Sequence, residues 1–183
     1  RSSLELEETL TSVTKAVVQL AERRHGALIV LTRREMLDRF YKNGVMLNSE
    51  VSPQLLLQIF YPNTPLHDGA VIIYDNRIEA ASCVMPLSSS GVLNSTADRS
   101  LGLRHRAAMG ISEVSDALAV VVSEETGTIS IAHRGRLIRR LDGERLLNSM
   151  RAIMATDQPA KVNPMNKLFK KGQAEEQPEE TEE

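Results

Sequence analysis

The sequence predicts an α/β fold, with a central mixed β-sheet flanked by helices. Three observations predict it. Short aliphatic runs alternate with segments of helical periodicity, the pattern of strands interleaved with helices. Turn signals between some neighbouring runs mark antiparallel hairpins, so the sheet is not purely parallel. The chain has 183 residues, of which 42% are hydrophobic and only 3% aromatic, with no Trp. That length suits one domain with some tail, and the core must be aliphatic.

Leu6, Leu10, Val13, Val17 and Leu20 recur at helical spacing. They predict an amphipathic helix over residues 3–24 that packs on its own domain, since a coiled coil needs more heptads. Gly26-Ala27-Leu28-Ile29-Val30-Leu31 reads as a buried strand. Residues 34–42 suit a short helix, and Val45-Met46-Leu47 a short extended piece. Ser52 and Pro53 have the chemistry of a helix cap and first turn, opening a helix through Leu55–Phe60. The run Tyr61-Pro62-Asn63-Thr64-Pro65 breaks it. Ala70–Tyr74 and Ile78–Met85 read as strands joined at Asp75-Asn76. Pro86–Ser100 is a polar loop. Residues 101–110 read as a helix that leaves through Ile111–Val114. Ala117–Ser123 is a buried strand. Thr128–His133 and Leu137–Leu141 are two more, around Arg134-Gly135-Arg136. Asp142 caps a final helix to about Met154. The organisation is therefore a packed N-terminal helix over 1–24, a domain over 25–156, and a disordered acidic tail over 157–183. That tail carries Glu175, Glu176, Glu179, Glu180, Glu182 and Glu183.

Composition excludes several functions. The formal net charge is −2, so no global basic character points to nucleic acid. The single cysteine, Cys83, excludes an intrachain disulfide and a multi-cysteine zinc site. It fits a reducing cytoplasm. No apolar run is long enough to cross a membrane, and no signal peptide pattern is present.

Two short segments carry the chemistry. In Thr64-Pro65-Leu66-His67-Asp68-Gly69-Ala70, a carboxylate and an imidazole stand at the mouth of an apolar strand. Asp68 is suited to orient or deprotonate a hydroxyl or to bind a metal, and Gly69 to let backbone approach a ligand. Taken singly, Asp68-Gly69 is an ordinary turn and His67 an ordinary structural histidine. In Leu101-Gly102-Leu103-Arg104-His105-Arg106, two arginines flank a histidine. Arginine forks match phosphate, although on a helix residues i and i+2 face different ways. Alone, this triplet reads as a solvated basic turn. Ser123-Glu124-Glu125-Thr126-Gly127 adds a hydroxyl and two acids where a buried strand ends, and on its own reads as a turn. Together, an acid and a cationic cluster suit phosphoryl or nucleotidyl transfer.

Read jointly over residues 4–155, these features resemble the diadenylate cyclase domain family, most closely its CdaA type. The resemblance rests on Gly26–Val30, His67-Asp68-Gly69-Ala70, Arg104-His105-Arg106 and Ala117–Gly127, in that order. It implies the family's α/β fold and the condensation of two ATP into cyclic di-AMP with release of two pyrophosphates. One copy of each motif per chain implies one ATP per chain, hence a site shared by two face-to-face chains of a homodimer. By the same resemblance Asp68 activates the 3′-hydroxyl, with Gly69 and Ala70 lining the nucleotide. Arg104, His105 and Arg106 hold the phosphates, Ser123 and Glu125 neighbour them, and Leu28 and Met85 contact adenine. His67 helps to bind Mn²⁺ or Mg²⁺, with Co²⁺ admissible for an imidazole ligand. Two positions depart from the pattern: Leu103 where the family usually has Thr, and Val84 where it often has an aromatic residue. The Ser88–Ser100 loop is also slightly longer. They motivate an alternative, a catalytically weak nucleotide-binding signalling module. CdaA-type proteins carry a membrane segment ahead of this domain. The expectation is therefore a cytoplasmic catalytic domain in a membrane-anchored protein, open to regulatory protein partners and without a nucleic-acid partner.

Overall fold

A computed structural model describes residues 3–89 and 101–155. The chain runs through α1 (Ser3–Arg23), β1 (Ala27–Leu31), α2 (Asp38–Tyr41), β2 (Val45–Glu50), α3 (Pro53–Ile59), β3 (Ala70–Tyr74) and β4 (Arg77–Cys83). It continues through α4 (Leu103–Val114), β5 (Leu118–Val122), β6 (Ile129–His133), β7 (Arg136–Leu141) and α5 (Gly143–Ala155). Among the described residues the strands form one seven-stranded sheet in the order β2-β4-β3-β1-β5-β6-β7. Only β1 and β3 pair in parallel; the other pairs are antiparallel. The expected mixed sheet is thus present.

The two faces of the sheet follow from side-chain alternation. In β1, Ala27, Ile29 and Leu31 join the core beneath α1, α3 and α5, while Leu28 and Val30 join the core beneath α4. Both faces are covered, so β1 and β5 are uninterrupted apolar runs. The helix predicted over 3–24 packs on its own domain: Leu10, Val13, Val17 and Leu20 are each at most 1% exposed. Each such side chain contributes about 2 kcal/mol of gross hydrophobic stabilisation. Ser52 caps α3, its hydroxyl accepting the Leu55 N–H at 3.1 Å, with Pro53 in the first turn. Asp142 accepts the Arg145 N–H at 2.8 Å and opens α5.

Several boundaries differ from expectation, such as β4 ending at Cys83 rather than Met85, and three of the differences have a tertiary reason. The helix expected over 34–42 is a single turn at Asp38–Tyr41. Residues ahead of it are held in a loop because the Asp116 carboxylate accepts the N–H groups of Arg34 and Glu35, both at 3.1 Å. β2 extends to Glu50, past a bulge between Met46 and Ser49. Arg77 fixes the bulge by donating to the Asn48 side chain at 2.9 Å and its carbonyl at 2.7 Å. Ile111–Val114 is the last turn of α4 rather than its exit. Ala108, Ile111 and Ser112 keep the buried helical spacing, and the Ser115 hydroxyl donates to the Ile111 carbonyl at 2.7 Å to close the end. Most of the polar loop predicted before Ser100, and the acidic tail, lie outside the described residues.

Candidate active site

The topology brings three chain segments to one end of the sheet. β1 and β3 are parallel, so both begin there, and β5 runs antiparallel to β1 with Val122 opposite Ala27. The turn before β3, the start of β1 and the turn after β5 are therefore neighbours. α4 packs over β5 and β6 and presents its N-terminus to the same end. A cleft of about 270 Å³ results, lined by Asp68, Leu103, Arg104, His105, Ser123, Glu124 and Glu125 with Gly102 and Val122. A larger depression of about 830 Å³ lies along α1, but Glu5, Glu7, Glu8, Glu50 and Asp75 line it and outnumber its basic residues, Lys15 and Arg77. That charge repels a polyphosphate, so the smaller cleft is the chemically equipped one.

Asp68 is exposed at the lip of the cleft. Its backbone is fixed by the Ser82 hydroxyl, which donates to the Asp68 carbonyl at 2.9 Å. Gly69 follows with φ of +91°, and a Cβ there would stand 2.9 Å from the Cys83 carbonyl oxygen. The close approach that glycine permits is thus to strand β4, which fixes the direction in which Asp68 leaves the sheet. His67 precedes it. Its Nδ1 lies 2.7 Å from the Thr64 carbonyl oxygen, which can only accept, so Nδ1 carries the proton. This tautomer leaves the Nε2 lone pair available as a metal ligand.

Arg104 and His105 stand in the first turn of α4. Among the described residues no side chain caps this turn, where Gly102 is the cap residue, and its N–H groups favour an anion. Arg104 donates from Nη1 to Glu124 Oε2 at 2.6 Å. His105 is only 3% exposed. Burial first, then the neighbouring Arg139 and Arg104 charges, push its pKa down to about 4. It is therefore neutral near pH 7 and supplies hydrogen bonding rather than charge. Arg106 is exposed and does not line the cleft. Its carbonyl accepts the Ser88 N–H at 2.9 Å, tying the chain after β4 to α4.

The turn after β5 closes on itself. The Ser123 N–H donates to the Thr128 carbonyl at 3.0 Å, and Gly127 N–H returns to the Ser123 carbonyl at 2.9 Å. Leu28, Ala70 and Met85 do not line the cleft. They are at most 5% exposed and lie in the apolar layer between the sheet and α4. The cleft thus gathers Asp68, Arg104, His105, Ser123 and Glu125. His67 and Gly69 flank Asp68, and Leu28, Ala70, Met85 and Arg106 stand outside. Glu124, expected only as one of two acids in this turn, also lines the cleft: nothing in a turn containing two adjacent glutamates distinguishes which one meets Arg104.

Comparison with known proteins gives the family and the fold. Residues 14–137 match the family described as DAC, the DisA bacterial checkpoint controller nucleotide-binding family. The chain is 47% identical over 146 residues to the cyclic di-AMP synthase CdaA of Bacillus subtilis, covering 80% of this chain and 52% of that protein. It is equally similar, at 47% over 146 residues and with the same coverage, to the diadenylate cyclase of Listeria monocytogenes. The chain therefore spans about half the length of these curated relatives. Among solved structures, a double mutant of DacA from Staphylococcus aureus superposes with a TM-score of 0.78 at 44% identity. That match covers 84% of this chain and 99% of the other. A hypothetical membrane spanning protein from Bacillus cereus superposes with a TM-score of 0.68 at 46% identity, covering 73% of this chain and 64% of the other.

Proposed function

The chain belongs to the DAC family of nucleotide-binding domains, and from that premise we propose that it is a diadenylate cyclase. It condenses two ATP into cyclic di-AMP and releases two pyrophosphates. In each half-reaction a ribose 3′-oxygen bonds to the α-phosphorus of the other ATP and the bond to the β-phosphate bridging oxygen breaks. The hydroxyl proton passes to the Asp68 carboxylate, and pyrophosphate leaves with the bond electrons. Arg104 and the N–H groups of the first turn of α4 hold the negative charge that develops on the phosphates. His105, neutral and buried, offers a hydrogen bond, while Ser123 and Glu125 border the phosphate path. Leu28, Ala70 and Met85 form the apolar bed under the nucleoside, and Arg106 faces the outer phosphates or the partner chain.

The observation that carries this reading is the meeting of Asp68 and Arg104 in one cleft from separate segments of the chain. Each chain has one such pair, whereas the product has two equivalent linkages. Two chains facing each other across a two-fold axis satisfy both. His67 Nε2 would be the protein's ligand to a divalent ion, and among the described residues no cluster of three metal-ligating side chains exists. The remaining ligands would come from phosphates and water, as suits Mg²⁺ or Mn²⁺, with Co²⁺ also compatible with imidazole. When bound, that ion neutralises phosphate charge. Among the described residues no helix is long and apolar enough to cross a membrane. Anchoring by a separate segment is supported by the description of the Bacillus cereus neighbour as membrane spanning, and a cytoplasmic side goes with the proposed use of ATP.

The weaker alternative, a nucleotide-binding signalling module, draws on Leu103, which lines the cleft and is 67% exposed. One assay separates the two. Incubated with ATP and Mn²⁺, the protein yields cyclic di-AMP detectable by mass spectrometry. Asp68→Asn lowers the rate by about 100-fold or more while ATP binding is kept, as expected for loss of a general base. ATP binding without product at any metal or protein concentration would exclude the cyclase.

A further inference from the structure

Arg104 is held from behind. Its side chain is 22% exposed, whereas that of Glu124 is 61% exposed, so the carboxylate reaches in from the turn after β5. The two meet at 2.6 Å through Nη1 and Oε2. Directly behind them stands Gly26, at the start of β1. A Cβ there would lie 2.6 Å from Glu124 Oε2, 2.7 Å from Arg104 Nη1 and 2.9 Å from Arg104 Cζ. The ion pair therefore occupies the space that any other residue at position 26 would need. Arg104 Nε is buried and has no hydrogen-bond partner among the described residues. Glu124 thus engages one donor of the fork and leaves others unassigned.

A half-exposed ion pair adds little to stability. Its effect is on freedom. An arginine has several rotatable bonds, and immobilising it when a phosphate arrives costs affinity. An arginine already fixed at one nitrogen presents its remaining N–H groups without that loss. We infer that Glu124 is a positioning residue that pre-orients Arg104 for the nucleotide phosphates, and that the missing side chain at Gly26 makes the room it needs. The inference rests on the reading of this cleft as a nucleotide site. It assigns Glu124 and its neighbour Glu125 different duties: one engages the protein's own arginine, the other faces the ligand.

Binding of 3′-deoxy-ATP, which keeps the triphosphate but lacks the attacking hydroxyl, tests this by calorimetry without turnover. Glu124→Ala weakens binding about 10-fold, the scale of one charge-assisted hydrogen bond. Glu124→Gln, which still accepts from Nη1, stays within about 3-fold of the native protein. Gly26→Ala, which displaces the pair without removing a charge, reproduces the Glu124→Ala loss. In an Arg104→Ala background, Glu124→Ala has no further effect, because the two act as one unit. Unchanged or tighter binding in Glu124→Ala would overturn the inference, as would an equal loss with Arg104 absent. Glu124 is exposed, so its variants keep the native melting temperature and the result does not depend on Gly26→Ala folding. With ATP as substrate, Glu124→Ala lowers kcat/KM and Glu124→Gln keeps it near the native value. Coupling without any cyclic di-AMP would sink the cyclase reading alone. Cyclic di-AMP formation without coupling would sink the positioning role alone.

Discussion

At the scale of single residues, conformation and burial decide what each motif position can do. Gly69 combines a φ of +91° with a close approach to Ser82 and Cys83. Gly69→Ala therefore forces both strain and collision, and lowers stability by about 2 kcal/mol or more, read from denaturant unfolding. Because Asp68 hangs from this turn, activity falls further than stability alone explains. His105 gives a pH signature. Its folded-state pKa is near 4 against an ordinary 6.5, so between those values the unfolded chain binds the proton and the folded chain does not. Stability is then full above pH 6.5 and falls as pH drops towards 4, by about 3 kcal/mol for this group. His133 is also held low by burial and by Arg33 and Arg134, and adds to the same limb. Melting temperature against pH checks this: His105→Asn flattens the acid limb, and His133 accounts for the slope that remains.

At the scale of elements, local chemistry was legible wherever it was self-contained. Ser52-Pro53 reads as a helix start, and the Ser52 hydroxyl indeed receives the Leu55 N–H. Ser52→Ala destabilises by about 1 kcal/mol, visible as a lowered midpoint of urea unfolding with an unchanged slope. The five-residue stripe of α1 and the aliphatic runs of β1 and β5 were equally plain, because burial on one or both faces writes itself into periodicity. Illegible were the places where distant partners decide. Asp116 stops the helix expected over 34–42 by capturing the N–H groups of Arg34 and Glu35 from some 80 positions away. The bulge in β2 depends on Arg77 reaching Asn48. The pairing of Arg104 with Glu124 rather than Glu125 depends on how the turn after β5 folds over β1. Leu28 and Met85 were expected against adenine and Ala70 along the nucleotide, and the packing of α4 that buries all three was not legible.

At the scale of the whole molecule, the sheet order does the assembling. With β1 parallel to β3 and antiparallel to β5, two strand starts and one strand end share an edge. A carboxylate, an arginine and a helix N-terminus are thereby brought together from segments that are remote in sequence. Family resemblance carried the proposed function already at the level of sequence, since neither motif is specific alone. What the fold adds is the distinction between residues at the cleft and residues beneath it. The central claim remains that one chain supplies one half of a symmetric reaction. Cyclic di-AMP formation by a fixed amount of native protein, titrated with the Asp68→Asn chain, tests it most directly. If two chains share the site, product falls towards zero as mixed dimers replace native ones. Product that stays constant through the titration, or that never forms from the native chain with ATP and Mn²⁺, would contradict it.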